Sequence, residues 1–178
     1  MDNWLAEGAV RLEALGADDI DTAWPWFQDG TFLRQLDAAP AVPRTREQVA
    51  SEWTHPRNDA VKLGVFQGEG QLVGLAGLDG ILWNQGIGWV VLAVSPAYQG
   101  RGVGRSALRL LLRLGFGELN LRRLQLTVFE DNHRAVHLYE SVGFRREGAF
   151  REFLERDGEL TDMLLYGILR REWAEAAG

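Results

Sequence analysis

Val94-Ser95-Pro96-Ala97-Tyr98-Gln99-Gly100-Arg101-Gly102-Val103-Gly104 joins the end of one apolar run to the start of another, and its reading decides the fold. Upstream, Trp89 to Val94 is unbroken apolar sequence, the pattern of a strand buried on both faces. Downstream, apolar residues at 103, 107, 108, 111, 114 and 119 follow a helical spacing over Val103 to Leu119. Pro96 and the glycines stop the strand and open the helix. The first turn of a helix leaves backbone N–H groups without partners, and its aligned peptide dipoles add partial positive charge, so this junction is a natural anion site. Gly100, Gly102 and Gly104 let phosphate oxygens approach without interference from Cβ and permit positive φ, while Arg101 and Arg105 flank them with charge. A dinucleotide loop would need G-x-G-x-x-G, which is absent. A triphosphate loop would need Gly-Lys-Ser/Thr, and the only lysine is Lys62.

Working outward, Arg11 to Leu15 predicts a first strand and Asp18-Asp19 a helix start. A second helix follows Thr45 and stops before Pro56, and Gly30 to Pro43 between them reads as irregular. From Val61 the period becomes two: a hairpin turns at Gly68-Glu69-Gly70, with further turn signals at Asp79-Gly80 and from Asn84 to Gly88. Beyond the glycine loop come a strand over 124–129, a helix capped by Asp131-Asn132 and closed by Gly143, and two strands, 144–150 and 161–168, around Arg156-Asp157-Gly158. The pattern predicts an α+β fold with a mixed, mostly antiparallel twisted sheet of about seven strands and about four helices.

Composition bounds the function. The 178 residues suit one domain, taken as 1–178, and no apolar stretch is long enough to span a bilayer, so a cytoplasmic protein is expected. Zero cysteines exclude disulfides and thiolate chemistry by the protein itself. His133 and His137 sit four apart without an accompanying helical carboxylate and read as solvent-facing, so no metal is expected. The net charge of −6 argues against nucleic acid and no membrane association is read. Yet Ser95 to Gln125 carries six arginines against one glutamate, +5, leaving −11 elsewhere. A basic island suits an anionic ligand and the acidic remainder a cationic co-substrate; Arg109 and Arg113 read equally well as a wet helix stripe.

Gln99-Gly100-Arg101-Gly102-Val103-Gly104 resembles the Q/R-x-x-G-x-G/A signature of the Gcn5-related N-acetyltransferases (GNAT). Asn132 to Glu140 with Gly143-Phe144 is similar to that family's second block. Gly148, Asp162, Tyr166 to Leu169 and Glu172-Trp173 resemble the branch of ribosomal-protein N-terminal acetyltransferases. The likeness runs from about Arg11 to Trp173. It implies the acyl-CoA N-acyltransferase fold, acetyl-coenzyme A as co-substrate, and transfer of acetyl to a primary amine, of a protein N-terminus or a small molecule, by direct attack on the thioester.

The resemblance further implies that strands 89–94 and 124–129 splay apart to admit pantetheine. Its amides would pair with main chain around Leu92 and Val94, and an N–H near Ala93 or Val94 would steady the oxyanion. With the loop from Gln99 to Arg105, Asn132 and Arg134 of the second block join the cofactor site; Asn132 serves also as helix cap. On the helix opened by Asn132, positions 132, 135, 136 and 139 share one face, and Tyr139 is the candidate acid for the leaving thiolate, against the alternative of a core tyrosine. No base stands out, since 88–94 contains no carboxylate; Asp79, Glu147 and Glu152 are surface-acid candidates. The acceptor is expected against the N-terminal helices and the closing hairpin, with Trp24, Trp26, Phe27 and Trp53 as walls or core. A non-catalytic coenzyme-A-binding module of the same fold is the alternative, and the oligomeric state is left open, a homodimer included.

Overall fold

The computed structural model describes residues 4–177. Its elements run β1 (Ala6–Glu7), β2 (Val10–Glu13), α1 (Ala17–Ala23), α2 (Gly30–Leu36), α3 (Arg46–Thr54), β3 (Val61–Gln67), β4 (Gln71–Leu82), β5 (Ile87–Val94), α4 (Val103–Arg113), β6 (Arg123–Phe129), α5 (His133–Val142), β7 (Arg145–Arg156), β8 (Glu159–Leu169) and α6 (Arg170–Ala177). The eight strands form one sheet in the order β1-β2-β3-β4-β5-β6-β8-β7, antiparallel except for β5 beside β6. The α+β class and mixed sheet expected from the sequence are therefore present, with one more strand and two more α-helices among the described residues than expected.

Local chemistry explains most boundaries. Thr45 and Gln48 form a reciprocal capping box at the start of α3, and Gly143 closes α5 at φ 109°. The stretch read as irregular contains α2, because the Asp29 carboxylate accepts from the N–H groups of Thr31 (2.7 Å) and Phe32 (3.3 Å) and Phe32 and Leu33 bury. The turn expected at Asp79-Gly80 lies inside β4, at an irregularity in its pairing with β5. The helix expected over 103–119 is α-helical to Arg113 and closes in a π-helical turn, Leu114–Glu118.

The sheet divides the core. On one side Leu108 and Leu112 of α4, together with α5, pack over Leu78, Leu124 and Leu126, with Val90, Leu92 and Val94 of β5 facing them. On the other, α1, α2 and α3 bury Ile20, Phe27, Phe32, Val49 and Trp53 against Leu75, with Val91 and Ala93 of β5 facing that way. Such alternation follows from the two-residue period of a strand. β5 is not closed on both faces, as its apolar run suggested; Trp89 to Leu92 and Val94 are half-buried, because they line a cleft.

Candidate active site

β5 and β6 pair over only three positions, Ile87↔Arg123, Gly88↔Leu124 and Trp89↔Gln125, and then separate. Each keeps its outer partner, β5 with β4 as far as Val94 and β6 with β8 as far as Phe129, so the divergence opens a gap through the sheet. A cleft of about 1440 Å³ occupies it. The Ser95 N–H donates to the Val73 carbonyl at 2.9 Å, which fixes the parity of the ladder. Main-chain groups of Val91 and Ala93 point at β4, and those of Leu92 and Val94 point into the gap. Of the two N–H groups suggested for an oxyanion, Ala93's is thus committed to the sheet and Val94's faces the cleft.

Beyond β5, Gly100 and Gly102 adopt φ of 74° and 82°, which only glycine takes without strain. Gly102 is the N-cap of α4, and its carbonyl accepts from the N–H groups of Arg105 and Ser106 (3.1 Å each). Among the described residues no protein group accepts from the Val103 and Gly104 N–H groups at this helix start. Gly104 serves differently: it lies within α4, where a Cβ would meet Leu138 Cδ2 at 3.2 Å, so it sets the approach of α4 to α5. Gln99, Gly100, Gly102, Gly104 and Arg105 line the cleft. Val103 is buried and Arg101 turns away, its guanidinium 5.7 Å from the centre of the Tyr98 ring.

Gln99 clasps the cleft mouth. Its Nε2 donates to the Val94 carbonyl (2.9 Å) and its Oε1 accepts from Arg134 Nη1 (2.6 Å), tying the end of β5 to α5. Asn132 caps α5, its Oδ1 accepting from the Ala135 N–H at 3.2 Å, and also lines the cleft. Tyr139 lines it too, its ring 6.0 Å from that of Phe144, and its hydroxyl has no protein partner among the described residues. Burial pushes the phenol up to about 12, so it stays protonated across ordinary pH. The basic island thins out: Arg109 and Arg113 reach Glu7, Arg122 the Gln85 carbonyl, and Arg123 the Glu147 carboxylate, leaving Arg105 at the cleft, where Arg134 of α5 joins it.

On the opposite side of the sheet the cleft is walled by α2, β6 and the β7–β8 hairpin, including Phe32, Leu36, Phe129, Phe150, Phe153 and Met163. Sequence reading missed these. The aromatic residues it offered lie elsewhere: Phe27 and Trp53 are core, Trp26 packs on Phe32, and Trp24 donates to the Arg44 carbonyl. The signal for α2 was present in Asp29 followed by Thr31-Phe32-Leu33, a capped helical start.

The base candidates are absent from the cleft lining. Burial alone would raise the Asp79 carboxyl, but the hydrogen bond and charge of Lys62, with Gly80 N–H and Arg57, hold it low. Arg123 holds the Glu147 carboxyl low. Glu152 is exposed, its N–H donating to Asp162. Among the described residues, no group of His, Asp or Glu is arranged to hold a metal ion.

The family model for the acetyltransferase (GNAT) family matches residues 21–144. An uncharacterized N-acetyltransferase, p20, of Bacillus licheniformis is 28% identical over 172 residues, covering 93% of this chain and 95% of that protein. The N-alpha-acetyltransferase RimI of Mycobacterium tuberculosis is 41% identical over 91 residues, 50% of this chain and 55% of that one. The spermidine N(1)-acetyltransferase of Escherichia coli is 32% identical over 82 residues, 46% and 44% of the respective chains. The fold is that of the spermidine N-acetyltransferase of Vibrio cholerae, solved with CoA and spermine: TM-score 0.85, 24% identity, 94% of this chain and 99% of that one. With its divergent strands, its glycine-opened helix and a family match over most of its length, the chain belongs to the acetyltransferase (GNAT) family and is an N-acetyltransferase.

Proposed function

We propose that the chain, as one domain over 1–178, carries acetyl from acetyl-coenzyme A to a primary amine that enters from the side of α1, α2 and α3, and that Tyr139 returns the proton to the leaving sulfur. The observation that carries this reading is the divergence of β5 from β6 beside the start of α4, where unpaired main-chain donors at two levels face one cleft. The N–H groups of Val103 and Gly104, with Arg105, would hold a diphosphate. The exposed edge of Leu92 and Val94 would pair with the amides of pantetheine, and the Val94 N–H would donate to the thioester oxygen as negative charge builds there. When bound, acetyl-coenzyme A would supply the thioester whose acetyl group is transferred, and coenzyme A would leave as the thiol.

The Tyr139 hydroxyl, protonated and without a protein acceptor, is a donor facing the cleft. It gives its proton to the sulfur as the carbon–sulfur bond breaks and regains one from solvent. The attacking amine loses its proton to water in the open acceptor mouth; Asp79, Glu147 and Glu152 do not line the cleft. A coenzyme-A-binding module without turnover would have no use for that unpartnered phenol, which favours the enzyme.

The test is thiol release from acetyl-coenzyme A with a panel of amines and N-terminal peptides. Turnover with at least one primary amine, and formation of its amide, is the expected result. Absence of measurable affinity for coenzyme A by calorimetry would overturn the reading.

A further inference from the structure

We infer that the acceptor is an amine bearing a single bulky apolar group beside its nitrogen, and not a polyamine; this rests on the acetyl transfer proposed above. Three observations lead there. First, register fixes what faces the acceptor mouth. Val91 and Ala93 look toward α1, α2 and α3, as does Phe129, opposite Met163 on β8, which lies in turn opposite Phe150 on β7. With Phe32 and Leu36 from α2, these make an apolar wall around the gap.

Second, two of the wall's rings stand open. Phe150 is 47% and Phe153 52% exposed, their centroids 5.5 Å apart, and both line the cleft. Aromatic surface left in water beside a reacting centre is surface that a ligand's apolar group would cover.

Third, both guanidinium groups here and the carboxylates of Asp37 and Asp157 are already engaged. Arg34 pairs with both Asp157 oxygens (2.6 and 3.3 Å). Arg156 donates to the carbonyls of Arg34, Asp37 and Ala39 and lies 5.2 Å from the Phe129 ring centre. One Asp37 oxygen accepts from the Ala39 N–H at 2.6 Å, the other from Arg44. Of the four carboxylates lining the cleft, Asp37 and Asp157 are paired, and Asp131 and Glu159 lack a side-chain partner among the described residues. A polyamine brings several ammonium groups, each needing a counter-charge, into a mouth that also holds two guanidinium groups. An amine with one charge and one apolar flank meets no such conflict.

The N-terminal residue of a polypeptide and a small arylalkyl amine share this chemistry, and the assay separates them. With saturating acetyl-coenzyme A, initial rates are compared for a tetrapeptide beginning with phenylalanine, the same peptide beginning with glycine, 2-phenylethylamine and spermidine. The phenyl-bearing acceptors should exceed both the glycine peptide and spermidine in kcat/KM by on the order of tenfold. Peptide over 2-phenylethylamine marks a polypeptide N-terminus as the source, and the reverse a small amine. Phe150→Ser and Phe153→Ser, at half-exposed positions, should raise KM for the phenyl acceptor while leaving KM for acetyl-coenzyme A unchanged. Preference for spermidine, equal rates for the two peptides, no effect of either substitution, or no turnover by a protein that binds acetyl-coenzyme A would each overturn this assignment and leave the cofactor site standing. Failure to bind acetyl-coenzyme A would instead remove the proposed function itself.

Discussion

Replacing Gly102 by alanine separates backbone conformation from contact, because a Cβ at this position would meet nothing within 4 Å. The whole effect must then come from φ, which is 82°. Holding an L-residue in the left-handed region costs about 1–2 kcal/mol, so Gly102→Ala should lose about 1 kcal/mol of stability, a fall in Tm of about 2–4 °C for a chain of this length. If the backbone relaxes instead, the Val103 and Gly104 N–H groups turn from the cleft, and affinity for coenzyme A should drop by about tenfold or more. Gly104→Ala is the control. There the helix gains about 1 kcal/mol in propensity, offset by a contact of 3.2 Å with the movable end of Leu138, so Tm should change little. Thermal unfolding and isothermal titration with coenzyme A read both quantities. If Gly102→Ala binds and melts like the parent, or if the two substitutions lose stability equally, the account of the loop as a left-handed cap presenting free N–H groups is wrong.

Tyr139→Phe should lower kcat by about 100-fold or more, with affinity for coenzyme A and Tm nearly unchanged, because the hydroxyl has no protein hydrogen bond to lose; equal kcat for the two proteins would remove it as the acid. The native phenol, pushed up to about 12, holds its proton more tightly than the unfolded chain near 10. Its contribution to stability is therefore complete below pH 10 and declines as pH rises from 10 toward 12, and kcat should show no downward limb from this group below pH 10; a limb near pH 8 would contradict the assignment. Arg156→Ala removes three hydrogen bonds that hold the end of α2 to the β7–β8 turn, and should raise KM for the amine severalfold without changing KM for acetyl-coenzyme A. An unchanged amine KM would show that α2 does not shape the acceptor mouth.

Much of the cofactor side was legible because it is local. A helix start needs a cap, a left-handed turn needs glycine, and an apolar run between turn signals makes a strand. Thr45, Asn132, Gly102 and Gly143 occupy the positions that these rules assign. The side chains of the same loop were less legible. Arg101 was as good a phosphate ligand as Arg105 by sequence, and only the placement of the Tyr98 ring draws it away. Arg109 and Arg113 could be sorted from the basic island only once β1 brought Glu7 alongside α4.

By itself, then, the sequence determined the order of most elements, the glycine-opened start of α4 and the placing of Tyr139 on the same helix face as the Asn132 cap, since each depends on residues within a few positions of one another. The tertiary structure alone decided where β5 leaves β6, which N–H of Ala93 and Val94 faces the gap, and that α2 and the β7–β8 hairpin, more than a hundred residues apart, line one cleft. Those follow from sheet register and long-range packing, whose partners no local pattern identifies.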